Sequence, residues 1–386
     1  MGQAFIETKK RSIEFNSAIR TYSMVIALVA VWAIFAYTTD GVFLEARNFS
    51  NLMRQSTITA ILSVGMLMVI VTSHIDLSVG SVVGLAGGVA AVAQGWLGWG
   101  LEWSILAALA TALLIGALQG FLVAYLNIPA FIVTLGGLLA WRGAIKGITE
   151  GNTIPVQIPA FKTIGQGYIA PPVGMALAIA SVIAIIVITL ARERSRRQHG
   201  LGSESRFRLV TRIFIPSILV FAFVAAFNRY AGVPVPVLIL AVVALAGAMT
   251  VEGTAFGRYL YAIGGNTDAA RLSGVNVRLH ALAAFSIMGV LAGLASIIYT
   301  ARVGSAAPDA GRLLELDAIA ACVIGGTSLM GGRGSVQGAC LGALFMASLD
   351  NGMSLENYQD FTQDIVKGLI LVTAVGIDMI GRRKDG

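Results

Sequence analysis

"TITAILSVGMLMVIVTSHIDLSVGSVVGLAGGVAAVAQGWLG", residues 57–98, holds two apolar runs, 57–73 and 79–98, joined by a short polar link. Each run approaches or reaches the ~17–25 residues that span a hydrocarbon core. The stretch therefore predicts two membrane helices with a break between them. The break carries His74 and Asp76. An ionised side chain at bilayer depth costs roughly 2.5–3.5 kcal/mol on the insertion scale, so it faces a cavity or a partner. Asp76 is followed by Ser78 and Ser81, which supply hydroxyls beside the carboxylate. Two readings stand side by side: Asp76 lines a polar pathway, or it caps a helix that begins near Ser78.

Working outward, the whole chain has the same character. Hydrophobic residues make up 56% of its 386 positions and charged ones 12%, and the mean hydropathy is +0.81. A water-soluble domain of this size needs far more charge. The fold class expected is an all-α polytopic membrane protein. Apolar segments fall near 22–39, 57–73, 79–98, 103–126, 131–147, 170–191, 213–227, 234–251, 281–300, 316–330, 335–350 and 365–381. The segments 213–227, 316–330 and 335–350 are short and read as possible half-spans, allowed only where protein or a cavity satisfies the backbone. The expectation is about ten transmembrane helices plus short or re-entrant pieces, in one domain over 22–381. Residues 1–21 and 382–386 would be flanking cytoplasmic segments.

Basic residues cluster at the N-terminus (Lys9, Lys10, Arg11, Arg20), in loop 192–212, in loop 252–280 (Arg258, Arg271, Arg278) and in the tail Arg382-Arg383-Lys384. This is how orientation is encoded, and it puts all four regions in the cytoplasm. The same clustering, rather than a basic stripe, argues against nucleic acid as the partner of a chain of net charge +7. Trp96, Trp99 and Trp103 suit the opposite membrane–water belt. No cleavage site precedes the first apolar run, which is expected to be retained. Ile6 stands where a myristoylation pattern needs Ser or Thr.

Further motifs are structural at first reading. Gly80-xxx-Gly84, Gly116-xxx-Gly120, Gly289-xxx-Gly293 and Gly334-xxx-Gly338-xxx-Gly342 set small residues on helix faces for close packing. "VIVTSHIDLSVGSVVG" (69–84) aligns without gaps on "VIGGTSLMGGRGSVQG" (323–338), an echo of the kind internal repeats leave. Pro129 ends one helix and helps to start the next, and Arg142 is expected near the outer interface, snorkelling. Asp350 and Asn351 read as helix-end caps. Cys322 and Cys340 read as packed thiols, with no disulfide or metal framework. No P-loop, H-E-x-x-H or G-x-S-x-G occurs, which leaves a membrane enzyme without a catalytic constellation. The candidate pathway lining comprises Asp76, Ser78, Ser81, Asn127, Thr134, Thr327 and Ser328.

"GGNTDAARLSGVNV" (264–277) is polar and lies between two long apolar runs. Asn266 or Thr267 can cap a helix start, Asp268 suits its positive end, Ala269, Ala270, Arg271 and Leu272 favour helix, and after Ser273 Gly274 offers a left-handed stop. A helix of about two turns is marginal alone and must pack on something. A connecting turn and a segment that enters a partner's groove both fit.

Four stretches, in order, resemble one known family: "HIDLSVGSVVGLAGGVAA" (74–91), "PAFIVTLGGLLAWRG" (129–143), "FGRYLYAIGGNTDAARLSGVNV" (256–277) and "ELDAIAACVIGGTSLMGGRGSVQGACLGALFMASLDNGMS" (315–354). They look like the sugar-permease subunits of bacterial ATP-binding-cassette importers, the ribose, xylose and galactose-type permeases. The resemblance runs from about Thr38 to Lys367. "TTDGVFLEARNFSNLMRQ" (38–55), the basic loop 192–212 and "ASLDNGMS" (347–354) carry a likeness to the xylose-type members. His74 departs from the pattern, where the family commonly has Glu or Gly.

The resemblance implies a place in the bacterial inner membrane and alternating access driven by a separate ATPase, which carries the ATP and Mg; no cofactor is expected in this chain. It implies a second permease copy, cytoplasmic ATPase subunits and a periplasmic or extracellular sugar-binding protein as partners. The substrate would be a monosaccharide, D-xylose first, with ribose, galactose or another sugar as alternatives. By position, residues 266–274 would contact the ATPase, Asp268 and Arg271 through polar contacts and Ala269 and Leu272 as an apolar knob. An ion-coupled secondary transporter is the alternative of a different class, and it would need its own ion site.

Overall fold

The computed structural model describes residues 24–199 and 205–383. The basic residues Lys9, Lys10, Arg11, Arg20 and Lys384, and positions 200–204 of the basic loop, lie outside the described residues. The described residues are mostly helical. The helices are α1 (Met24–Thr38), α2 (Ala46–Ile70), α3 (Val79–Gly95), α4 (Leu101–Ala124), α5 (Ala130–Ile148), α6 (Pro159–Gln166), α7 (Pro171–Gln198), α8 (Arg206–Asn228), α9 (Val235–Gly253), α10 (Ala255–Gly265), α11 (Thr267–Leu272), α12 (Val277–Val303), α13 (Leu314–Ile324), α14 (Val336–Leu355) and α15 (Asp360–Arg383).

Among the described residues, each apolar segment read from the sequence overlaps one of these helices. Seven of them, α2, α4, α5, α7, α8, α9 and α12, are long and apolar enough to cross a membrane. Two of the three short segments turn out longer than they read. Segment 213–227 belongs to the 23-residue α8 and 335–350 to the 20-residue α14. Polar residues at their ends, such as Arg206 and Asn351, continue the helix beyond the apolar run. Only 316–330 is a half-length helix, the 11-residue α13. The basic loops are also largely helical. Positions 192–198 continue α7, and α10 and α11 occupy most of 252–280.

The core is built around α2 and α12. Residues 58, 60–62, 64 and 66–71 are almost wholly enclosed. α12 lies against α4, α3, α2 and α6. It meets α4 closely where Gly116 faces Gly289 and Gly120 faces Leu282. A methyl group on Gly116 would sit 2.9 Å from the Cα of Gly289, and one on Gly120 would sit 3.0 Å from the Cα of Leu282. Small residues let backbones approach where lipid removes the hydrophobic drive between helices. Gly338 and Gly342 do the same against the Gly325 and Ala321 carbonyls of α13. Gly334 does not share that face, because α14 begins only at Val336.

The two ends of the bundle differ. At one end, short antiparallel pairs tie 154–155 to 305–306 and 168–169 to 233–234. There α6 seats Phe161 in the core, and Gln166 Nε2 donates to the carbonyls of Ala301 and Arg302 at 3.2 and 3.0 Å. At the other end, the break after α2 meets the break after α13. Gly332 N–H donates to the Val71 carbonyl at 2.9 Å, and Ser73 Oγ donates to the Met330 carbonyl at 2.9 Å. The sequence echo thus corresponds to two helix–break–helix units that touch at their breaks.

Candidate functional site

Two polar regions stand out. The first is the short helix α11 and the cleft beside it. Asn266 is the N-cap, its Oδ1 accepting from the Ala269 N–H at 2.9 Å. Thr267 Oγ1 donates back to the Ile263 carbonyl, Ser273 Oγ to the Ala269 carbonyl, and Gly274 takes the left-handed conformation at φ +85°. The local chemistry expected from the sequence is all present. Side-chain direction is not uniform, however. Asp268, Ala269, Arg271, Leu272 and Ser273 are exposed, whereas Ala270 is buried against its own chain. Ala270 therefore anchors the helix on its own chain. Leu272 is 89% exposed, more than any other large apolar side chain described.

Beside α11 lies an open cleft of about 700 Å³, lined by Thr72, Ser73, His74, Asn127, Arg271 and Arg278 among others. It adjoins a second hollow of about 470 Å³ along Ser73, His74 and residues 127–131. The exposed Asn127, in the left-handed turn before α5, belongs here and not with Asp76. α10 joins this end to the break after α13: Tyr261 Oη donates to the Gly334 carbonyl at 3.0 Å. Burial, with the nearby Glu252 charge, pushes that phenol up to about 12, so it stays a donor.

The second region is buried, at the start of α3. Asp76 Oδ1 accepts from the Ser78 N–H at 2.8 Å and from its hydroxyl at 2.7 Å. It closes a tight turn just before the helix; the N-cap position itself is Ser78, which has no side-chain cap bond, so Asp76 does not cap α3. Gln119 Nε2 donates to Ser78 Oγ at 2.8 Å. Ser81 Oγ donates to the Leu138 carbonyl at 2.9 Å, and Thr134 Oγ1 reaches the Ala130 carbonyl at 2.9 Å and the Ile75 carbonyl at 3.3 Å. Asp76, Ser78, Ser81 and Thr134 are thus gathered in one place, all buried. Thr327 and Ser328 lie apart, in the break after α13. Their backbone is engaged rather than open: Thr327 N–H donates to the Cys322 carbonyl and Ser328 N–H to the Arg333 carbonyl.

Several charged residues sit elsewhere than the sequence suggested. Arg142 does not snorkel outward; its Nε lies 3.4 Å from Ser81 Oγ and its Nη2 is buried. Asp350 and Asn351 are interior to α14, not caps. Lys367 of α15 donates to Asp317 Oδ2 of α13 at 3.2 Å and forms an ion pair with Asp350 Oδ1 at 2.8 Å. Asn351 and Asn48 exchange two side-chain bonds, at 2.8 and 3.0 Å. Sequence reading missed Gln119 and Glu315 as members of the polar region. The available signal was a single Gln within the apolar run of α4.

A family model described as the permease component of branched-chain amino acid transport systems matches residues 48–375. The chain belongs to this permease family. The xylose transport system permease protein XylH of Escherichia coli (strain K12) is 47% identical over 95% of this chain and 93% of its own. XylH of Haemophilus influenzae is 46% identical over 95% and 98%. The ribose import permease protein RbsC of Escherichia coli (strain K12) is 36% identical over 92% of each chain. No solved structure gives a match. In this permease, then, the buried polar start of α3 and the exposed α11 lie in a multi-pass membrane protein, the first within the bundle and the second at one end of it.

Proposed function

We propose that this chain is the membrane-spanning subunit of an ATP-driven importer of a monosaccharide, with D-xylose as substrate. One observation carries the reading: a bundle that matches xylose permeases along nearly its full length bears, at one end, a capped helix whose apolar tip Leu272 has no cover. A cytoplasmic ATPase, carrying ATP and Mg, docks on that helix through Asp268, Ala269, Arg271 and Leu272. Its closure on ATP moves the helix. α11 passes the movement to α12 directly, because its last turn leads into Asn276, whose Oδ1 caps α12 at the Leu279 N–H.

The orientation follows from the charges. The ends bearing 192–212, 252–280 and the C-terminus face the cytoplasm, in the inner membrane, and the strand-tied end faces a periplasmic sugar-binding protein. A second copy of the permease completes the path. Asp76, Ser78, Ser81 and Thr134 lie along the sugar's route, and Asn127, Thr327 and Ser328 at its inner mouth. Ribose is the second substrate reading, supported by the 36% identity to a ribose permease.

The test is xylose uptake in a bacterial strain stripped of its own pentose importers, given this chain together with its ATPase and binding protein. Uptake should require the ATPase and be competed by xylose more strongly than by ribose. Arg271→Glu should abolish uptake and release the ATPase in mild detergent while the permease stays monodisperse. Uptake that persists without any ATPase would make the chain an ion-coupled transporter instead.

A further inference from the structure

Around the first turn of α3 the polar region contains three atoms with nothing to bond. Glu315 is 95% buried by its 5% residual exposure, and its Oε2 has no hydrogen-bond partner. Arg142 Nη2 and Trp141 Nε1 are also buried and unpartnered. The three side chains come from two helices to residues 78–81, the start of α3. Glu315, from α13, lies against the backbone of Gly80, where a Cβ would collide with its carboxylate. Arg142, from α5, reaches Ser81, the next residue. Trp141 Nε1 crowds Gly137, which also meets Ser78 and Gln119.

An unmade bond at a buried polar atom costs about 1–3 kcal/mol, and more at a charged group. Each such atom in a native structure calls for an explanation, an absent partner among them. The charges also define the missing partner. Glu315 lies within electrostatic reach of Arg142, yet the two form no ion pair within 4.0 Å. An anion would be repelled by Glu315 and a cation by Arg142. A neutral polyol suits both, since a hydroxyl donates to a carboxylate and accepts from a guanidinium or an indole N–H. The indole also offers the flat apolar face against which C–H edges of a sugar ring rest.

We propose that Glu315, Arg142 and Trp141 form the transient binding site of the monosaccharide midway through the bundle, Glu315 accepting from one ring hydroxyl and the Trp141 and Arg142 nitrogens donating to its neighbours. This rests on the sugar-permease reading above. Glu315 gives the site its selectivity, because only a hydroxyl, and not a hydrogen, at the facing ring carbon satisfies it.

The experiment measures xylose uptake and its competition by singly deoxygenated xyloses in proteoliposomes holding the complete importer. The variants are Glu315→Gln, which keeps the volume, and Trp141→Phe, which removes only the N–H and part of the ring. Each should lower uptake tenfold or more while the ATPase stays bound at the wild-type ratio, and Glu315→Gln should erase the preference for xylose over one deoxy analogue. Uptake within twofold of wild type with unchanged discrimination in both variants would overturn the proposal. So would loss of uptake in both accompanied by loss of the ATPase, since that marks a structural role. Should Glu315→Gln fail to fold, Trp141→Phe decides alone. A wild-type complex that moves no monosaccharide would instead defeat the sugar-permease reading on which the site rests.

Discussion

Helices α2 and α8 are of similar length, 25 and 23 residues, and have opposite fates. α8 is the more apolar, with a mean hydropathy of 2.2 over its best window against 1.4 for α2. Yet 89% of that window is buried in α2 and none in α8. α2 brings Ser50, Ser56, Thr57 and Ser63 into the interior, their hydroxyls mostly bonded to carbonyls one turn back. α8 turns Phe207, Phe214, Ile215, Ile218 and Leu219 outward. In water the ranking would be reversed. In lipid, the outside is as apolar as any core, so small and polar residues mark the inside.

Four substitutions test that contrast, beginning with the largest effect. Gly116→Val drives a branched side chain into the Phe285 carbonyl and the Gly289 backbone. The cost should exceed about 5 kcal/mol, the range of the most disruptive single changes. Size-exclusion chromatography in mild detergent should show no monodisperse protein; a normal peak would mean that α4 and α12 are not locked by their glycines. Lys367→Met leaves Asp317 and Asp350 facing each other without a cation. Thermal unfolding should report a loss of about 3–5 kcal/mol. Adding Asp317→Asn and Asp350→Asn should recover much of it, and failure to recover would show that Lys367 acts through packing.

Smaller effects follow elsewhere in the bundle. Asn48→Leu strands the Asn351 amide in the interior and should cost about 1–3 kcal/mol. The double change Asn48→Leu/Asn351→Leu should be milder than either single one, a non-additivity readable in a double-mutant cycle. Leu219→Ala on α8 should stay within about 0.5 kcal/mol of wild type, as expected at a site making no core contacts. A drop of several degrees in Tm would show that this face of α8 meets protein rather than lipid.

Legibility in the sequence tracked how local each feature is. The capped α11 was legible because Asn266, Asp268 and Gly274 act within one turn of their own backbone. The helix-packing glycines were legible because spacing of four puts them on one face. Arg142 and Asp350 were misread because their partners lie far along the chain: Arg142 meets Ser81 across 61 positions, and Asp350 meets Lys367 on the next helix. Glu315 went unnoticed because nothing within its own segment distinguishes it from an acid in a helix's first turn. The burial of Ala270 was not legible, because a six-residue helix is too short for its sequence to reveal an inner side.

The sequence by itself determined the membrane class, the position of each long helix, the breaks at 71–78 and 325–335, and the capped turn at 267–272. All of these depend on hydropathy or on hydrogen bonds between near neighbours. Only the tertiary structure decided which helices occupy the centre, which break touches which, and where the buried charges find or lack partners. The physical reason is that lipid and protein interior present nearly the same apolar solvent to a side chain. A membrane helix therefore carries little in its hydropathy to say which face looks inward, and the packing of backbones against glycine settles it.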